Sequence, residues 1–333
     1  MSIVAARCAH LILIVALSVL TTGCSRIAEA IIEAGLDEML ENFDADRGGP
    51  SSNYTPTAPA PPSGPYINYV AFLTGTESGN VVCYFPNSTA WDVARTYSEG
   101  ESPIGIATMA DNGIAIATNR GVSIPGLPIV TLDRLNAETG AATIGVITAA
   151  SDDETESILV AATTEDDESL LIRIDSDTGA ILDTTRPRPA TRIEGLLVSG
   201  DLVVAAEAPD GAIVCYDLSE SQPERIVLIE PEQTAGQPAG MTIGASGNLF
   251  VASRDEPVIQ EFDLDNGVLV STIRIPEIEA GGLRDVVYAP IGDRYFVTAG
   301  TDAIYELDGD GELVGVHTQE ELAGAASITL VER

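Results

Sequence analysis

The sequence predicts an all-β, six-bladed β-propeller preceded by a leader, a short helix and a proline-rich linker, and three observations carry that prediction. A hydrophobic strand ending in small residues recurs as VAFLT, IAIAT, LVAAT, VVAAE, LFVAS and YFVTA. Aligning these places Phe72, Ile116, Val160, Val204, Val251 and Val297 in register, at intervals of 44, 44, 44, 47 and 46 residues. One strand later a second ladder follows as NVVCYF, LLIRID, AIVCYD, VIQEFD and AIYELD. The two ends of the repeat region are also complementary, the first unit lacking an inner strand and the last stretch supplying one. A period in the forties with several short strands per unit suits a propeller, because a lone four-stranded blade cannot bury both faces.

Taken in chain order, residues 1–23 read as a signal peptide. Arg7 precedes an apolar run of ten positions interrupted by Ser18, Leu11 to Leu20, which is followed by Thr21, Thr22, Gly23 and Cys24. Ten residues are too few to cross a bilayer and match a signal's apolar stretch. The small residues ahead of Cys24 resemble a bacterial lipobox, although Thr21 stands where Leu is usual and Leu20 lies one place early. That resemblance implies a lipoprotein cut before Cys24, with lipid attached there, anchored in the cell envelope at the outer membrane or cell surface. An ordinary secretory signal with an incidental Cys is the alternative, and either one means export. Residues 24–46 are expected to be the acylated N-terminus and a short amphipathic helix, with Ile27, Ile31, Ile32, Leu36, Met39, Leu40 and Phe43 on one stripe. Residues 47–65 form a Pro/Gly/Ser-rich linker, a tether of about 50 Å when stretched.

Residues 66–333 are expected to be the propeller. In the last full unit the inner strand RDVVYAP precedes Val297 by about ten residues, so the first unit's counterpart falls near Pro59 to Ser63, where APAPPS cannot enter a strand ladder. ASITLVE (326–332) is an inner strand without a following partner, so it is predicted to complete the N-terminal blade and close the ring. NAETG (136–140), DSDTG (175–179), DLDNG (263–267) and DGDG (308–311) read as hairpin turns into outermost strands. Blade two is the least regular. Ala141 to Asp152 must supply both its outer strand and the next inner one, which leaves a seventh, degenerate blade open. The repeats resemble YVTN and NHL type propellers, most clearly in GNLFVASRDEPVIQEFDLDNGVLVSTIRI (247–275), and the resemblance implies the fold more than any activity.

Composition narrows the function. Acids outnumber bases 51 to 16, every base is Arg, and the net charge of −35 disfavours nucleic acid. The same acidity with no Lys also suits a saline habitat. With two histidines, one of them in the leader, a multi-His metal site or a His-based triad is not expected. DADRGG (44–49) and DGDG begin like Ca²⁺ loops but carry Thr55 and Gln319 where a bidentate Glu is needed. Cys83 and Cys215 occupy equivalent positions three units apart, on opposite sides of a six-membered ring, so no disulfide is expected between them.

The longer loops are expected at one mouth of the channel, with the tight turns on the opposite face. Arg120, Glu207, Arg254, Asp255 and Asp302 stand just after their strands there and are the candidate channel-mouth binding residues. No catalytic residue and no metal ligand is assigned, and Ca²⁺ is kept only as a low expectation. The function expected is a membrane-anchored envelope propeller that binds or scaffolds a protein or glycan partner. The alternative is a carboxylate- or Ca²⁺-dependent hydrolase of lactonase or glycosidase type in the channel.

Overall fold

The computed structural model describes residues 69–86, 88–151, 156–187, 192–199, 201–219, 223–278 and 281–332. The leader, Cys24, the amphipathic stripe and the linker lie outside them. The described residues form six four-stranded antiparallel sheets and one α-helix. Blade 1 is ordered β24 (Ala325–Glu332), β1 (Tyr69–Gly75), β2 (Asn80–Phe85) and β3 (Ala90–Thr96). Blade 2 comprises β4 (Pro103–Thr108), β5 (Ile114–Thr118), β6 (Gly121–Ser123) and β7 (Val130–Thr131). Blade 3 runs from β8 (Thr143–Ser151) through β9 (Glu156–Thr163) and β10 (Ser169–Asp175) to β11 (Ile181–Thr185). Blade 4 contains β12 (Arg192–Ser199), β13 (Leu202–Ala208), β14 (Ile213–Asp217) and β15 (Ile226–Ile229). Blade 5 contains β16 (Pro238–Ile243), β17 (Leu249–Ser253), β18 (Val258–Asp263) and β19 (Val268–Arg274). Blade 6 contains β20 (Asp285–Ala289), β21 (Arg294–Thr298), β22 (Ala303–Asp308) and β23 (Leu313–Thr318).

The ring closes as the sequence predicts. β24 pairs antiparallel with β1, placing Thr329 opposite Phe72 and Glu332 opposite Tyr69. Six separate apolar cores fill the six gaps between neighbouring blades. Blade 1 shares one core with blade 6, through Leu73, Tyr84 and Phe296, and another with blade 2, through Phe72, Val81 and Ile116. Because both faces of a blade are covered, the second strands are apolar along their length: all seven residues of β1 and all five of β5 and β17 are buried. Outer strands have one face toward solvent, and β23 alternates between partly buried and exposed residues.

Three sequence expectations need correction. NAETG is the C-terminal end of helix α1 (Leu132–Thr139), capped by Gly140 in the left-handed region at φ 85°, and is not a hairpin turn. The helix starts at Thr131, whose side chain accepts a hydrogen bond from the Arg134 backbone N–H. Blade 2's outer strand is the two-residue β7 ahead of this helix, so Thr143–Ser151 is free to be a single inner strand, and the described residues make six blades. The repeat alignment also slips by one residue. Ile116, Val160, Val251 and Val297 face the preceding blade, whereas Phe72 and Val204 face the following one. A one-residue slip reverses the face a side chain covers.

The remaining turns behave as expected. Asp175 accepts hydrogen bonds at Oδ1 from the Asp177 and Thr178 backbones and from the Thr178 hydroxyl, which also hold its carboxyl below its usual pKa. Gly179, Gly267 and Gly311 take the left-handed conformations that close the hairpins. Cys83 and Cys215 are buried in blades 1 and 4, and no disulfide occurs among the described residues.

Candidate functional site

The hub is built from the six inner strands, and its geometry follows from how closely they approach. Gly105, Gly145, Gly195 and Gly240 lie on β4, β8, β12 and β16, beside register shifts in four of the inner hairpins. A Cβ on Gly195 would lie 2.2 Å from the Ala239 carbonyl oxygen of the next blade, and one on Gly240 would lie 1.8 Å from Asp285 Oδ1. Glycine at these positions lets neighbouring backbones meet and narrows the channel. In blade 6 the spacer is a carboxylate. Asp285 Oδ2 accepts from the Ser327 hydroxyl and the Ile328 backbone N–H, both at 3.0 Å, and Oδ1 accepts from Val286 N–H at 2.9 Å. Burial pushes this carboxyl up to about 6, against the pull of those hydrogen bonds. Asp285 lies deep in the ring yet faces a channel cavity of about 220 Å³, so channel solvent limits the cost of its charge.

Above this constriction the channel widens into a mouth cavity of about 420 Å³. Its walls are the beginnings of inner strands and the ends of second strands, with small residues such as Gly145, Ala161, Ala239, Gly300 and Ala326. Into it come Glu77, Arg192, Glu194, Arg254 and Arg284. Glu194 divides its carboxylate, Oε1 pairing with Arg192 Nε and Oε2 with Arg254 Nη1. Arg284 is half-buried, and its guanidinium makes no hydrogen bond or ion pair with a described residue. Burial and the neighbouring charge of Arg254 lower its pKa, with Glu194 acting in the opposite sense.

The sequence-predicted residues separate in space. Arg254 lines the cavity. Glu207 has no exposed surface and lies inside blade 4, where Arg225 donates to Oε2 from Nε at 3.0 Å and Nη2 at 2.6 Å, and the Tyr216 hydroxyl donates to Oε1. This hydrogen bond to Glu207 is the largest cause holding Arg225 charged, while burial and Glu207 push the Tyr216 hydroxyl well above its usual pKa. Arg120, Asp255 and Asp302 are exposed on the same face and do not line the cavity. Asp255 instead holds a between-blade loop, accepting from Gln237 N–H at 2.9 Å. The mouth residues outside the predicted set are Glu77, on the turn between β1 and β2, and Arg192, Glu194 and Arg284, which lie at or just before the starts of inner strands. The signal lay in RDVVYAP, which opens with a charged residue just where an inner strand enters the hub. Among the described residues, no three His, Cys, Asp or Glu side chains stand close enough to hold a metal ion.

The sequence matches no family model and no curated protein. Solved structures share the architecture. A chain of the nidogen/laminin complex is similar over 79% of this chain and 98% of its own, at 12% identity and a TM-score of 0.62. The gluconolactonase XC5397 of Xanthomonas campestris is similar over 68% and 79%, at 16% identity and a TM-score of 0.52. Regucalcin of Agrobacterium tumefaciens, a calcium-binding protein, is similar over 71% and 80%, at 13% identity and a TM-score of 0.52. Likeness at such identities is likeness of fold, and the protein is a six-bladed β-propeller.

Proposed function

We propose that the protein is an exported, lipid-anchored binding propeller whose mouth cavity receives a glycan or protein partner at the cell envelope. The observation that carries this reading is the composition of the mouth: small side chains and exposed backbone surround a cavity of about 420 Å³, the size of a ligand pocket. A lactonase- or glycosidase-type centre needs carboxylate oxygens free to bind a cation or exchange a proton. Glu194, the carboxylate held among the mouth arginines, has both oxygens committed to Arg192 and Arg254. The anchoring half of the proposal rests on the sequence ahead of Cys24, and the linker lets the ring stand away from the membrane.

The test is binding of the full-length chain, in mild detergent, to an array of envelope polysaccharides and surface proteins, beside a Thr163→Trp variant. Thr163 ends β9 on the cavity wall, so the indole fills the mouth from its rim. Binding that the native chain shows and the variant loses supports the proposal. Equal binding by both, or lactone or glycoside hydrolysis that survives in the variant, overturns it.

A further inference from the structure

Positive charge is scarce in this protein, and its placement is therefore informative. Of 16 basic residues in a chain of net charge −35, Arg192, Arg254 and Arg284 line one cavity. Against them stand Glu194, shared between Arg192 and Arg254, and Glu77, exposed on the turn between β1 and β2. Arg284 is left with no counter-charge in contact among the described residues, although it is half-buried beside another guanidinium. Its backbone is fixed at the entry to blade 6, where Arg284 N–H donates to the Thr298 carbonyl at 2.8 Å and its own carbonyl accepts from Gly240 N–H at 3.0 Å. Gly300, at φ 71°, lies against the side chain, and a Cβ there would come within 3.1 Å of Arg284 Nε. A partly desolvated guanidinium on a fixed backbone, facing a ligand-sized cavity, offers a planar pair of N–H donors to a two-oxygen anion.

We propose that the mouth cavity binds the carboxylate of a sugar acid, with Arg284 as its anchor and Arg254 supplying the second positive charge. This rests on the mouth being the binding face. The cavity favours a saccharide over a peptide because hydroxyls line it: Thr143 and Thr163 pair with each other and Thr76 donates to the Gly324 carbonyl, which leaves hydroxyl oxygens able to accept from sugar hydroxyls. A carboxylate suits it better than a phosphate. The lining arginines exceed the lining acids by a single charge, and one open guanidinium matches a planar two-oxygen group.

Glucuronate, glucose and inorganic phosphate are titrated into the full-length chain in mild detergent, by calorimetry and by the side-chain N–H resonances of isotope-labelled arginine. Glucuronate binds at least about tenfold more tightly than glucose and shifts the Arg284 resonance. Arg284→Ala removes that preference. Arg284→Lys, which keeps the charge without the fork, recovers only part of it. Arg134→Ala, on the outer helix α1, leaves it unchanged. Equal affinity for glucuronate and glucose, competition by equimolar phosphate, or unaltered glucuronate binding by Arg284→Ala overturns the proposal. If Arg284→Ala does not fold, the resonance shift in the native chain decides. Should glucuronate fail while the array still distinguishes native from Thr163→Trp, the carboxylate assignment alone falls. Should the array show no difference either, the mouth is not the binding face.

Discussion

Removing Arg225 exposes how the ring tolerates a carboxylate with no contact to water. Glu207 is fully buried within blade 4, and three hydrogen bonds reach its oxygens, two from Arg225 and one from Tyr216. Arg225→Ala takes away two of these bonds and the counter-charge together. A buried ion pair broken from one side costs about 3–5 kcal/mol, because the remaining charge is left in a poorly solvating interior. Arg225 is itself 19% exposed, so water enters the space it vacates and the lower end, about 3 kcal/mol, is expected at neutral pH. Urea unfolding followed by the fluorescence of Trp91, the single tryptophan, measures it, and Trp91 packs on Tyr84 in blade 1, across the ring from the mutation. Replacing both partners, as Glu207→Gln with Arg225→Met, leaves no buried charge and restores at least half of the loss. A loss below about 1 kcal/mol, the value of an exposed pair, would refute the account, as would a double variant no more stable than Arg225→Ala alone.

Four further outcomes follow from the hub, a hairpin turn and the leader. Asp285 has a folded pKa of about 6, above its unfolded value, so its contribution to stability is complete below about pH 4 and is lost as the pH rises through 6. The loss is at most about 3 kcal/mol, and Asp285→Asn should flatten the unfolding free energy over that interval; an unchanged slope disproves it. Gly195→Ala sets a Cβ 2.2 Å from the Ala239 carbonyl and should cost about 1–3 kcal/mol in urea unfolding by forcing β12 and β16 apart. Gly247→Ala meets no atom within 4 Å and should lose only the cost of its left-handed φ of 79°, about 1 kcal/mol. Feeding cells a labelled fatty acid should mark the native protein and not Cys24→Ser, and equal labelling would remove the anchor from the proposed function.

The architecture was legible because a propeller writes its constraint into the sequence many times. Each blade needs a strand buried on both faces, and six such apolar runs stood out at a steady period. Closure was legible because APAPPS cannot be a strand while ASITLVE can, a contrast fixed by proline's missing N–H donor. The same double burial hid the finer register. VVAAE places Val203 and Ala205 toward blade 3 and Val204 and Ala206 toward blade 5, and all four side chains are small and apolar. No alternation of polarity marks which face is which, so the alignment slipped at Phe72 and Val204 without any visible fault. Helix α1 was hidden differently. NAETG ends in the glycine that closes a hairpin or caps a helix, and only the two-residue length of β7 decides between them.

The site was less legible because a ring changes which residues share a space. Loops after second strands appear to point at the channel, and on that basis Glu207 and Asp302 look equivalent to Arg254. In the structure the channel is bounded by inner strands, and a residue at the start of one of them stands nearer the axis than most loop residues. Arg192, Glu194 and Arg284 are separated by up to 92 positions in the sequence, yet they line one cavity because β12 and β20 flank β16 at the hub. Glycine on the intervening strand, at Gly240, brings the neighbouring backbones together. The arginine cluster and the narrow hub thus have one cause: small residues on the inner strands draw the blades inward and leave the long side chains at their ends a single common volume. The net charge of −35 repels anions at long range, whereas at the mouth three lining arginines stand against two lining acids, a local excess felt within the roughly 8 Å screening length. Binding of an anion there should therefore have an on-rate that rises with added salt, the opposite of a steered encounter, while Arg284 sets the rate of release.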